Sequence, residues 1–179
     1  MSDLLEADGG SSMSDYWFEQ RRADAHFARY GTLLGLKPVR VIVTGSRALT
    51  DAALVEGALT AARCRFAPQP IVVVHGGADG ADELADVLAP TLGMTIERWP
   101  ADWTGPCRPT CRPGHRRLRQ DGAEYCPAAG NYRNQEMVDA GADLVIGFPV
   151  GESTGTRDCL RRAKRAGIPA KVYESGDPR

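Results

Sequence analysis

Cys107, Cys111, His115 and Cys126 are spaced C-x3-C-x3-H-x10-C. Three thiols and an imidazole are soft or borderline ligands, and four of them complete the tetrahedral shell of a structural Zn²⁺. The two short spacings put the first three on one tight knuckle. With all four positions filled, such a site leaves no open position for catalysis. A metal would also supply folding free energy to a segment that has no core of its own. A mobile loop with free thiols and a Cys107–Cys111 redox pair are the other readings of this spacing. The closed four-ligand count favours zinc.

A second kind of chemistry is carried by three small, polar, glycine-bearing turns. They are Thr44-Gly45-Ser46-Arg47, Gly76-Gly77-Ala78-Asp79-Gly80-Ala81-Asp82 and Gly151-Glu152-Ser153-Thr154-Gly155-Thr156. Glycine lets a backbone approach a ligand closely, and a helix N-terminus offers unpaired N–H groups and partial positive charge. Ser46, Ser153, Thr154 and Thr156 add hydroxyls, and Arg47 suits bidentate pairing with phosphate. Singly, each turn reads equally well as an ordinary turn or cap. Together on one sheet edge they point to a phosphate-bearing ligand, a nucleotide above all. Neither G-x-G-x-x-G nor G-x-x-x-x-G-K-[ST] is present, which disfavours a dinucleotide dehydrogenase or an ATPase.

Asp79, Asp82 and Glu152 are the carboxylates that could cleave a ribosyl–base bond, one protonating the base and another steadying the oxocarbenium ion. Asp79 and Asp82 lie three apart at a helix start, so they are expected to share a face and aim at a ribose, although acids there also serve the helix dipole. His75 reads as a base or, more simply, as a buried and satisfied side chain. Arg133 and Asn134 open a helix, where Arg suits a phosphate and Asn a cap or a base edge.

The elements that position these groups alternate. Strands are predicted at 39–44, 70–75, 94–99, 143–148 and 171–174, and helices at 50–66, 80–92, 131–140 and 155–166. This pattern predicts a parallel sheet covered on both faces, with its strand-to-helix loops along the carboxyl edge. Residues 101–130 break the rhythm with four prolines, three cysteines, a histidine and five arginines. That stretch is too long for an ordinary connection. Arg108, Arg112, Arg116, Arg117 and Arg119 read as a basic lid, a nucleic-acid contact or a solvated charge run. Cys64 and Cys159 fall in helical patterns and are expected to pack as small hydrophobes.

Residues 1–14 read as a disordered leader, and 15–36 as an amphipathic helix whose aromatic residues could pack on the main body or a partner. The domain reading is therefore 1–37, then 38–179 with 102–130 as a zinc-knuckle insertion. The chain has 179 residues, with 22 Lys+Arg against 23 Asp+Glu and a formal charge of -1. This balance argues against a protein that coats nucleic acid or an acidic membrane. No apolar run is long enough to span a bilayer, and no basic-then-apolar leader is visible, so a cytoplasmic protein is expected.

Val41-Ile-Val-Thr-Gly-Ser-Arg, His75-Gly-Gly-Ala-Asp-Gly-Ala-Asp, Arg133-Asn-Gln-Glu-Met and Ser153-Thr-Gly-Thr…Ala-Gly-Ile-Pro stand in this order over about 39–174. In these motifs the chain resembles the YspA-type, YpsA-related branch of the SLOG superfamily, relatives of DprA and LOG (lysine decarboxylase-like) proteins. The resemblance implies a Rossmann-like three-layer α/β/α fold with a mostly parallel sheet, here with an added N-terminal helix and Cys/His insertion. It implies ligand contacts at Gly45, Ser46, Arg47, Gly76, Gly77, Asp79, Asp82, Arg133, Asn134, Ser153, Thr154, Gly155 and Thr156. LOG phosphoribohydrolases carry P-G-G-x-G-T-x-x-E, whereas this chain has Val150-Gly-Glu-Ser-Thr-Gly-Thr-Arg-Asp-Cys, with Asp158 or Cys159 in place of the acid. The departure argues against cytokinin-style hydrolysis. The leading expectation is a sensor or binder of a nucleotide or ADP-ribose-like molecule. The alternatives are a nucleotide or nucleoside hydrolase and, less favoured, a DprA-like DNA-processing adaptor. SLOG relatives are often dimers, which makes a homodimer an expectation.

Overall fold

The computed structural model describes residues 35–174. The expected leader and the helix at 15–36 therefore lie outside the described residues, apart from the last two positions of the helix.

β1 (Val39–Gly45) and β2 (Ile71–His75) are runs of β-branched residues buried on both faces, as the inner strands of a parallel sheet must be. Side chains alternate between two cores. Val41, Val43, Val73, Ile146 and Phe148 pack on one face, while Ile42, Val74 and Val145 pack on the other. With β3 (Thr95–Arg98), β6 (Leu144–Phe148) and β7 (Ala170–Val172), these strands form one sheet in the order β3-β2-β1-β6-β7, parallel throughout.

The first core lies under α1 (Ala52–Phe66) and α2 (Ala81–Thr91). The Asp51 side chain caps α1 by accepting from the Leu54 N–H at 2.9 Å. Leu54, Val55, Ala58, Leu59 and Ala62 form its buried stripe. Cys64 falls off that stripe and is exposed, contrary to the expectation of burial. The second core lies under α3 (Ala129–Asp139) and α4 (Thr154–Arg165), through Met137, Val138, Cys159 and Ala163. Helices thus cover both faces, giving a Rossmann-like three-layer α/β/α architecture.

Strand order reverses between β1 and β6, where Gly45 stands opposite Phe148. A crevice opens beyond the carboxyl ends of such a strand pair. One element went unforeseen, a hairpin of β4 (Arg117–Leu118) and β5 (Glu124–Tyr125) inside the insertion. Its strands are two residues long and largely exposed, so they carry no hydrophobic alternation. Among the described residues, no helix is long and apolar enough to cross a membrane.

Candidate functional site

The three turns converge. A cleft of about 630 Å³ is lined by Gly45, Ser46 and Arg47 after β1, by Asp82 of α2, by Arg133 and Asn134 of α3, and by Glu152, Ser153, Thr154, Gly155 and Thr156 after β6. A second lobe of about 810 Å³ is lined by Gly76, Gly77 and Asp79 after β2, and on its far side by Trp103, Leu118, Arg119 and Tyr125 of the insertion. Arg47, Ala78, Trp103 and Arg133 line both lobes. Both volumes fall in the range of small-molecule sites.

Packing decides the glycines of the first two turns. A Cβ on Gly45 would lie 2.2 Å from Ala81 Cβ and 3.0 Å from Phe148 Cβ, so the turn can seat against α2 only without a side chain. A Cβ on Gly76 would fall on the Arg133 guanidinium, 1.1 Å from Nη1. Arg133 therefore lies across the Gly76 backbone, where Nη1 donates to the Trp99 carbonyl at 3.1 Å. Its Nε is buried without a partner, and burial pushes the guanidinium pKa down despite the Asp82 charge nearby.

Asp79 and Asp82 do not share a face. Asp79 precedes α2 and is exposed, whereas Asp82 is 5% exposed and turned under the loop. Asp82 Oδ2 accepts from the Gly76 N–H at 2.9 Å and the Ala78 N–H at 3.3 Å, which fixes the shape of the second turn. Burial raises its pKa against those amide bonds and the Arg133 charge. Glu152 is exposed on the cleft wall.

His75 is buried and satisfied, as expected. Nδ1 accepts from the Gly77 N–H at 3.2 Å, so Nε2 carries the proton and donates to Asp86 Oδ1 at 2.9 Å. Asp86 in turn takes both Arg98 donors, at 2.6 and 2.9 Å.

Arg133 and Asn134 do not open α3. The helix starts at Ala129, so both sit in its second turn. Asn134 is buried and caps nothing; Nδ2 reaches Gly155 O and Asp158 Oδ2, each at 3.3 Å, and ties α3 to the start of α4. Asp158 also accepts from Arg162 Nε at 2.7 Å, so it is held as a structural carboxylate. Cys159 is fully buried, and desolvation pushes its thiol up to about 11.

In the third turn, Ser153 adopts a left-handed conformation with φ 30, and its Oγ donates to the Val150 carbonyl at 2.7 Å. That hydroxyl shapes its own turn. Thr156, 2% exposed, differs: its Oγ1 is buried with no partner in the protein.

The Cys/His cluster is real. The ligand atoms of Cys107, Cys111, His115 and Cys126 all lie within 4.8 Å of one another and could hold a metal ion. Cys107 Sγ–His115 Nε2 is 3.6 Å, Cys111 Sγ–Cys126 Sγ 3.9 Å and His115 Nε2–Cys126 Sγ 3.1 Å. A tetrahedron of thiolates and imidazole around an ion has edges of about 3.4–3.8 Å, and these three distances scatter around that range. His115 Nδ1 donates to the Arg112 carbonyl at 2.7 Å, which in the neutral ring turns Nε2 to the sulfurs as the free lone pair. The Tyr132 hydroxyl, 2.9 Å from Cys111 Sγ, draws that thiol's pKa down, while burial raises that of Cys126.

The arginines of the insertion do not act as one patch. Arg108 pairs with Glu136 and stacks on Tyr132 at 4.6 Å. Arg116 turns inward to the carbonyls of Gly105, Thr104 and Glu124, at 2.8, 3.1 and 3.0 Å. Of the five, Arg119 lines the wider lobe.

The sequence model described as the YspA, cpYpsA-related SLOG family matches residues 39–105. The Gene 61 protein of Mycobacterium phage D29 is 41% identical over 150 residues, covering 77% of this chain and 97% of that protein. The chain belongs to the YspA, cpYpsA-related SLOG family. In this SLOG chain the four ligands of the cluster lie beyond the end of the family match. Among solved structures it is similar to Acinetobacter baumannii MurG, at TM-score 0.46 and 13% identity, over 76% of this chain but only 35% of that one. It is also similar to the C-terminal domain of the PF1911 hydrogenase of Pyrococcus furiosus, at TM-score 0.43 and 13% identity, over 75% of this chain and 89% of that one.

Proposed function

We propose that this SLOG protein binds a nucleotide or nucleotide-derived, ADP-ribose-like ligand in the two-lobed cleft, as a sensor or binding protein. Membership of the family supports nucleotide-related binding in general. The observation that carries the reading is a pair of buried polar atoms left without protein partners on two residues that line the cleft, Arg133 Nε and Thr156 Oγ1. An unpaired buried donor costs about 1–3 kcal/mol, a cost that a ligand oxygen would remove. The N-terminal amides of α4 lie beside Thr156 and favour an anion there. Asp82 and Asp158 are engaged in holding loops and helices, which leaves Asp79, Asp121 and Glu152 as the exposed acids lining the two lobes.

Zn²⁺ is the metal best suited to the cluster of three thiols and an imidazole, as a closed structural site formed by Cys107, Cys111, His115 and Cys126. Its role there is to order the insertion, within which Cys126 is the one fully buried residue of 101–128.

Isothermal titration with AMP, ADP and ADP-ribose, with chromatography of the recovered ligand, tests the reading. Saturable binding with intact ligand supports it. Turnover that vanishes in Asp79→Asn establishes a hydrolase instead, and the absence of binding at millimolar ligand overturns both.

A further inference from the structure

The wider lobe has a wall that the phosphate turns do not explain. Trp103 meets Tyr125 edge-on, with ring centroids 6.3 Å apart and planes at 69°. The Arg47 guanidinium stands over Trp103 at 5.9 Å from the ring centroid, and Arg119 stands over Tyr125 at 5.6 Å. Elsewhere Arg108 on Tyr132 and Lys171 on Tyr173 close to 4.6 and 4.7 Å. A flat ring in van der Waals contact with both sides of a slot needs about 7 Å. Arg47, on a flexible stem, has to give about 1 Å to admit one beside Trp103.

Trp103 is held in this position from two directions. Its ring lies on the first turn of α3 at Gly130, where a Cβ would be 3.1 Å from Cη2. Its carbonyl accepts from the N–H of Cys126, one of the four cluster residues, at 2.8 Å. Arg116, next to His115, fastens the following residues Thr104 and Gly105 by their carbonyls and reaches Cys107 Sγ at 3.5 Å. The aromatic wall is thus bonded to the cluster, while the turns after β1 and β6 are packed on the sheet.

We infer that Trp103 is the base-stacking residue of the cleft and that the Cys/His cluster with its metal bound holds it there. This rests on the nucleotide reading above, and assigns the base to the wider lobe. Arg47 and Arg133, which with Ala78 and Trp103 line both lobes, stand where the two lobes meet. Stacking of a base on an aromatic side chain is worth about 1–3 kcal/mol.

The test compares ADP with ribose 5-phosphate by isothermal titration of the metal-loaded protein. Trp103→Ala should weaken ADP about tenfold or more while leaving ribose 5-phosphate within about twofold, and Trp103→Phe should restore most of the ADP affinity. Stripping the metal should reproduce the ADP-selective loss and adding Zn²⁺ should reverse it, with far-UV circular dichroism reporting an intact sheet. Equal weakening of both ligands, or unchanged ADP affinity in Trp103→Ala, overturns the inference while the nucleotide reading stands. Wild-type protein that binds neither ligand overturns the nucleotide reading and this inference with it.

Discussion

The backbone N–H of Cys126 donates to the carbonyl oxygen of Trp103 at 2.8 Å. A residue of the Cys/His cluster is thereby bonded to a residue that lines both lobes of the cleft. Because 101–128 buries little besides Cys126, that segment has few apolar contacts with which to hold its shape.

Metal removal should therefore act locally. Purified protein is expected to carry one zinc per chain, measured by atomic emission. Chelation should speed amide exchange across 101–128 while the strands of the sheet stay protected. Slow exchange in that segment after complete removal would show that the metal does not order it.

Thr156→Val isolates the buried hydroxyl. Oγ1 has no protein partner, so its removal at nearly constant volume should leave stability unchanged or raise it by about 1 kcal/mol, read from urea unfolding. The same variant should weaken ADP-ribose by about fivefold or more, the loss of one hydrogen bond. A fall in stability would mean that the hydroxyl serves the fold.

Gly45→Ala and Gly76→Ala separate packing from positioning. At Gly45 the new Cβ meets Ala81 and Phe148 Cβ atoms, and overpacking should cost about 1–3 kcal/mol. At Gly76 it meets the end of the Arg133 side chain, so the variant should lose ligand affinity out of proportion to stability. Thermal melts with and without ADP-ribose distinguish the two outcomes.

How much of this was legible in the sequence follows from where the forces are local. The runs Val41–Val43 and Val72–Val74, and the caps and stripes of the helices, are set by neighbours in the chain, and the parallel sheet followed from them. The cluster was legible because metal-ligand spacing is itself local. Tertiary contacts decided the rest. Asp82 lost its expected partnership with Asp79 because two loop amides claimed it, and Asn134 moved inside α3 because that helix starts two residues earlier. Trp103 carries no local signal, because nothing beside it in sequence marks it; its place depends on Cys126, twenty-three positions later. The Arg47–Trp103 approach, across two elements, left no sequence signal either.

Acid stability has a sign for each carboxylate. Arg40 hydrogen bonds hold Glu97 below its ordinary 4.5, and Arg98 holds Asp86 below its ordinary 3.8. Both contributions are present above the unfolded values and are lost as pH falls through the lowered ones. Burial moves Asp82 the other way, so its contribution is present below the unfolded value and is lost as pH rises through the raised one. Urea unfolding between about pH 3 and pH 7 should show Glu97→Gln with a shallower acid loss than wild type. Asp82→Asn, which keeps an acceptor for the Gly76 and Ala78 amides, should gain on wild type toward neutral pH. The opposite slope in Asp82→Asn would contradict the burial argument.

Backbone amide shifts during a titration with ADP-ribose, followed by NMR, test most directly whether the turns after β1, β2 and β6 serve one anionic ligand. The account predicts that the amides of Ser46, Gly77 and Gly155 move together along one saturation curve, with the Arg133 Nε–H appearing or shifting in step. Shifts confined to one turn, scattered over the surface, or missing at millimolar ligand would contradict it.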